Sequence, residues 1–170
     1  SGERLKTLVS SADNPMFEEL NILIPNLSWS PDGTRLALSS KSEGTYNLAI
    51  IEYETGESRT IKFPDVDAIN SVAWSPDGRK IAFDGNIGPY QDIFIYNLES
   101  GDFQNLTNDV YSDNDPEWGP DSETVYFVSN RGDKLQPCEA MAGYSILQDT
   151  AFYESDLYRI NIGGGMINRL

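Results

Sequence analysis

Apolar residues fall along this chain in short runs separated by Gly, Pro, Asp and Ser, not in the long stripes of packed helices. Leu36-Ala37-Leu38, Ile81-Ala82-Phe83 and Val125-Tyr126-Phe127 each begin seven residues after a tryptophan, and those tryptophans (Trp29, Trp74, Trp118) are 45 and 44 residues apart. A second set keeps the same phase: Asn47 to Tyr53, Asp92 to Leu98 and Asp156 to Ile162 are apolar and rich in aromatics. Each is followed by a Gly turn, at Thr55-Gly56, Ser100-Gly101 and Gly163-Gly164-Gly165, and then by a short, more polar segment. The pattern predicts an internal repeat of four short antiparallel strands.

Each tryptophan opens a turn. Trp29-Ser30-Pro31-Asp32-Gly33 returns as Trp74-Ser75-Pro76-Asp77-Gly78, and in altered form as Trp118-Gly119-Pro120-Asp121-Ser122. Pro sets φ at the second turn position, Asp suits the third and Gly closes the fourth, so Asp32, Asp77 and Asp121 are expected to bond their own backbone. The second strand shows little alternation, as expected of a strand covered on both faces. Four-stranded units with this period, each packed between two neighbours, predict an all-β fold of β-propeller blades, three in this chain. The blades are expected at residues 26–63, 71–107 and 115–170, the last with an insertion at 133–155, making residues 1–170 one propeller segment.

These turns and strands resemble the WD-like repeat of TolB-type propellers. The third unit adds Ser129-Asn130-Arg131-Gly132, Asp156-Leu157-Tyr158 and a Gly164-Gly165-Met166-Ile167-Asn168-Arg169-Leu170 ending, similar to that family's Ser-x-Arg-Gly loop, Tyr strand and Gly-Gly-x-x-x-Arg-Leu close. Gly119 and Ser122 depart from the turn pattern. The resemblance covers residues 26 to 170 and implies a ring of six blades, a periplasmic or secreted bacterial location, and a scaffold acting through partner proteins. Propeller domains of prolyl oligopeptidase-like hydrolases share the same blades, so an accessory role beside a catalytic domain elsewhere is the alternative.

Ser1-Gly2-Glu3-Arg4-Leu5 matches the turn at Ser100-Gly101, which places residues 1–9 in the outer strand of a preceding blade. Three blades leave two apolar faces uncovered, so the expected partners include the remaining blades of the same propeller or a second copy of the chain. The redundant strand at residues 3–9 speaks against the second copy, since it would compete with residues 166–170 for one edge.

Composition narrows the chemistry. With 27 acidic against 12 basic residues, the formal charge of -15 repels nucleic acid and anionic lipid. No apolar run approaches the roughly 18 residues of a membrane span. Histidine is absent, which removes the commonest general base and metal ligand, and no nucleophile stands beside a base. No cofactor motif is present, and the chain is expected to be non-catalytic. Cys138 is the single cysteine, so no intrachain disulfide forms.

The candidate site is the face where strand four leads to the next blade and strand two turns into strand three. Residues 84–91, 108–115 and 130–155 meet there, and loops on a rigid scaffold carry recognition. Tyr90, Tyr111, Asp113, Tyr144 and Tyr153 are expected to contact a protein or peptide, tyrosine giving contact area at low entropic cost. Asp109, Asp113 and Asp115 are candidate metal ligands, although the full twelve-residue calcium loop is missing. The tryptophans are expected in the packing. Asn14-Pro15 followed by Phe17, Glu18, Glu19 and Leu20 reads as a capped helical turn.

Overall fold

The computed structural model describes residues 26–132 and 155–170, with the backbone of Glu19–Leu20. The described residues form β-strands and turns with no helix. Three antiparallel sheets follow one another along the chain. The first contains β1 (Glu19–Leu20), β2 (Leu27–Trp29), β3 (Arg35–Ser42), β4 (Thr45–Glu52) and β5 (Ser58–Ile61). The second contains β6 (Ala68–Trp74), β7 (Lys80–Ile87), β8 (Tyr90–Asn97) and β9 (Phe103–Asn105). The third contains β10 (Asp113–Trp118), β11 (Thr124–Ser129), β12 (Asp156–Asn161) and β13 (Asn168–Arg169). In each sheet the tryptophan pairs with the first residue of its apolar run: Trp29 with Leu36, Trp74 with Ile81, Trp118 with Val125.

Glu19 and Leu20 correct the expectation of a helical turn reaching residue 20. They are extended and pair with Lys41 and Ser40, along the part of β3 that β2 leaves free. The edge of β3 is thus filled by two segments. The same edge in the other blades is one strand whose register slips, between Ile69 and Val72 and between Asn114 and Glu117. The inner edge is thus interrupted in the first blade and slips in register in the other two, the kind of irregularity that bulges make on edge strands. The outer strand of a preceding blade (residues 1–9) and the insertion up to Tyr153 lie outside the described residues.

The turns follow the sequence. Gly33 N–H and Gly78 N–H donate to the carbonyls of Ser30 and Ser75, each at 2.9 Å, with the glycines at φ 70° and 75°. Asp32 accepts from Thr34 N at 3.0 Å and Ser30 Oγ at 2.5 Å, and Asp77 from Arg79 N at 3.0 Å and Ser75 Oγ at 2.6 Å. In the third blade Ser122 takes the left-handed position at φ 58°, and Asp121 accepts from the backbones of Glu123 and Thr124. Ser122 has a use that glycine lacks, because its Oγ accepts Asp77 N–H at 3.0 Å and ties two blades together.

The doubly covered strands divide their side chains by parity. Ile81 and Phe83 of β7 join Leu48, Ile50 and Trp74 in the core between the first two sheets. Ala82 joins Ile93, Phe127 and Tyr158 in the core between the second and third. Phe94 faces one way and Ile93 and Ile95 the other. Successive strand residues point to opposite faces, so an apolar run without alternation serves two interfaces at once. The tryptophans differ in a way that the repeat conceals. Trp74 is 7 % exposed, under the guanidinium of Arg35 at 4.8 Å, whereas Trp29 is 46 % exposed and tilted against Tyr53 at 5.6 Å. Trp29 lies on the sheet face turned away from the other two, which no described sheet covers.

Candidate functional site

The turns bearing Asp32, Asp77 and Asp121 lie at one end of the sheets, and the β7–β8 hairpin lies at the other. At that second end, on the seam between the second and third sheets, a cleft of about 350 Å³ is lined by Pro89, Gln91, Val110, Tyr111, Ser112, Asn114, Asn130 and Ser155. Gln91 forms an isolated parallel bridge with Ser112, which joins the start of β8 to the loop before β10.

Beneath this cleft sits a buried ion network. Arg131, 1 % exposed, donates from Nη1 to Asp109 Oδ2 at 2.8 Å and from Nη2 to Asp113 Oδ2 at 2.5 Å. Its Nε donates to Ser129 Oγ at 2.9 Å, and its guanidinium lies 5.3 Å from the Tyr111 ring centre. Asp92 holds the adjoining loop, accepting from Thr107 Oγ1 at 3.1 Å, Asn105 Nδ2 at 2.9 Å and Asp109 N at 3.1 Å. Burial, and then the charge of Asp113, push the Asp109 carboxyl up to about 7 against the pull of Arg131. Burial also raises Asp113 against the same guanidinium. Two carboxylates hold Arg131 protonated despite its burial.

The expected site residues separate into three groups. Tyr111, at 2 % exposure, and Asp113, at 0 %, are buried, which corrects their expected placement on an open face. They form the floor and the support, since Asp113 points to Arg131 and the Tyr111 backbone N–H donates to Asp109 Oδ1 at 2.8 Å. Tyr90 is half-buried at the head of β8. Tyr144 and Tyr153 lie outside the described residues. The metal candidates also regroup. Asp115 is exposed on the irregular stretch of β10, with φ 51°, and the carboxylates that gather within 4.8 Å are Asp92, Asp109 and Asp113. Arg131 already brings a cation to two of those three, so the geometry reads as an ion-pair network.

Sequence reasoning missed Asp84, Gln91, Asn114 and Asn130 as a set. Asp84, 1 % exposed, accepts from Ser71 N at 2.8 Å, from Ser71 Oγ, from Asn70 Nδ2 at 3.2 Å and from Gln91 Nε2 at 2.6 Å. Burial raises its carboxyl, and these hydrogen bonds oppose the rise. An acid closing the apolar run Ile81-Ala82-Phe83 was the available signal, because a charge on a doubly covered strand needs partners.

Successive antiparallel sheets of four strand positions, the first with its inner edge split between β1 and β2, packed face to face with one loop-rich end, define a segment of a β-propeller. The family model described as TolB beta propeller domain matches residues 15–155, and the chain belongs to that family. A comparison with curated proteins gave no match. Among solved structures, TolB from Acinetobacter baumannii superposes with a TM-score of 0.65 at 22 % identity, over 85 % of this chain and 31 % of that one. A putative TolB from Agrobacterium tumefaciens gives 0.62 at 18 % identity, over 84 % and 47 %. The acylaminoacyl peptidase of Pyrococcus horikoshii gives 0.50 at 20 % identity, over 80 % and 22 %. This chain spans less than half the length of each, and at these identities the likeness is one of fold.

Proposed function

We propose that this chain is part of a non-catalytic propeller scaffold that binds a protein or peptide partner in the bacterial envelope. The observation that carries the reading is the cleft between the second and third sheets, at the loop-rich end, where Gln91, Ser112, Asn114 and Asn130 stand beside Pro89, Val110 and Tyr111. Clefts between rigid elements with a few convergent polar groups are the usual seats of ligands. The resemblance to TolB supports the envelope location and the use of partner proteins.

Site-specific photo-crosslinking tests the reading. A benzoylphenylalanine placed at Tyr90 of the intact protein is expected to trap a partner in envelope extracts, while the same group at Asp32, on the opposite turns, traps none. Equal trapping at both positions would reject this face.

A second reading is favoured by the peptidases among the structural neighbours, which include an isopeptidase as well as the Pyrococcus enzyme. In that case the chain is the accessory propeller of a prolyl oligopeptidase-like hydrolase. A downstream Gly-x-Ser-x-Gly with later Asp and His in the parent reading frame would support it.

A further inference from the structure

We infer that the cleft between the second and third sheets takes a cationic side chain of the partner, an arginine guanidinium or a lysine ammonium, and that the buried Asp84 sets this preference through a directed chain of hydrogen bonds. The inference rests on the proposed binding face and adds the chemistry that the face selects.

The chain begins at the carboxylate. Ser71 N–H, Ser71 Oγ and Asn70 Nδ2 all donate to Asp84 and hold it as a carboxylate, which accepts only, so the Gln91 atom lying 2.6 Å from it is the amide nitrogen. That fixes Gln91 Oε1 as the atom 3.2 Å from Ser112 Oγ, and the serine hydroxyl must donate to it. Ser112 then meets the next residue with two acceptors, its Oγ and its carbonyl oxygen. Asn114 Nδ2 lies 3.5 Å from the first and 3.3 Å from the second. The hydrogen bonds that link Asn114, Ser112 and Gln91 therefore all run inward, toward Asp84. The terminal acceptor, Asn114 Oδ1, has no partner among the described residues, and Asn114 lines the cleft. A hydrogen-bond chain ending on an anion polarises its members, which makes the outermost oxygen a stronger acceptor.

Charge points the same way. Among the described residues no charged side chain lines the cleft, yet its walls are bonded directly to buried acids: Gln91 to Asp84 and the Tyr111 backbone to Asp109. Asp84, Asp92, Asp109 and Asp113 are all buried around it, with Arg131 the one buried cation among the described residues. Arg131 answers Asp109 and Asp113, so Asp84 and Asp92 are the buried acids with no cation bonded to them among the described residues, and neutral amides over these two favour a positive, donor-rich group and disfavour an anion. Asn130 adds direction. Its Oδ1 accepts Ser112 N–H at 2.9 Å, which leaves its amide nitrogen to donate to a carbonyl beside the cation, such as that of a peptide unit.

The test compares acetyl-Gly-Arg-Gly-amide with its citrulline counterpart, which keeps the planar shape and loses the charge. Titrations on the intact protein follow the side-chain amide NMR signals of Gln91, Asn114 and Asn130. The arginine peptide is expected to shift these signals and to bind about tenfold more tightly than the citrulline peptide, as expected when a charge-assisted hydrogen bond replaces a neutral one. Asp84→Asn can donate to Gln91 and so reverse the chain, and it should abolish the preference. Asn114→Leu leaves Asp84 in place, removes the outer acceptor and should do the same, which keeps the question answerable if Asp84→Asn fails to fold. Equal affinity for the two peptides, or a preference that survives Asn114→Leu, would overturn the inference. If the photo-crosslinked partner is still trapped at Tyr90 when the peptides are not discriminated, the binding face stands and only the cationic preference falls.

Discussion

Trp118 Nε1 donates to the carbonyl oxygen of Ala73 at 3.0 Å, so the tryptophan that opens one blade is fastened to the backbone just before the tryptophan of the blade preceding it. Trp118→Phe keeps most of the ring and removes the donor. It should cost about 1 kcal/mol, the usual net worth of such a bond, plus a packing loss of similar size. Urea denaturation with an unchanged m-value checks this.

Arg131 is the one cation shared by Asp109 and Asp113. Arg131→Met leaves two buried acids facing each other and should destabilise by about 3–5 kcal/mol, the range for removing one partner of a buried pair. Adding Asp109→Asn and Asp113→Asn should recover part of that loss, because the uncompensated charges go with them. A triple variant no more stable than Arg131→Met would show that the arginine acts mainly through packing on Tyr111 and Phe127.

The acids give opposite pH dependences in two windows. The Asp109 carboxyl is raised to about 7, so its folded state binds the proton more tightly than the unfolded chain, and its contribution to stability is lost as pH rises from about 4 through 7. Turn hydrogen bonds lower the Asp32 carboxyl to about 2, first from the Ser30 side chain and then from the Thr34 backbone, and the Asp121 carboxyl to about 2, first from the Thr124 backbone and then from the Glu123 backbone. Their contribution is present above about 4 and is lost as pH falls toward 2. Stability should therefore peak near pH 4–5. Asp109→Asn should flatten the decline between pH 5 and 8 and leave the acid limb unchanged, as read by thermal melts across that range.

Ser122 holds a left-handed backbone position and accepts Asp77 N–H from the neighbouring blade. Ser122→Ala keeps the strained backbone and removes the acceptor, so a loss on the order of 1 kcal/mol is expected. Ser122→Gly relaxes the backbone and should recover part of it. Chemical denaturation of both variants orders them, and Ser122→Ala equal to wild type would remove the blade contact from the account.

Turn substitutions should separate stability from recognition. Asp77→Ala deletes the acceptor for Ser75 Oγ and Arg79 N–H, and it should lower the melting temperature while leaving crosslinking from Tyr90 intact. Loss of crosslinking in a folded Asp77→Ala protein would place recognition on the turn face.

How much was legible depended on the range of the interaction involved. The Trp-to-strand spacing, the Gly and Asp turns and the doubly covered strands are local in sequence, since they follow from backbone preferences and from the two-residue period of a strand. They determined the all-β fold, the three sheets and the roles of Asp32, Asp77 and Asp121. Tertiary structure decided the rest, because a repeat gives equivalent positions while burial depends on which neighbour covers them. Trp29 and Trp74 share one motif and differ in exposure for that reason. Tyr111, in the loop before β10, and Asp113, the first residue of β10, lie in a stretch whose sequence reads as a surface, yet Arg131, 18 residues beyond Asp113, draws that stretch inward. The chain from Asn114 through Ser112 and Gln91 to Asp84 crosses two blades, and only their packing brings its members within hydrogen-bond distance.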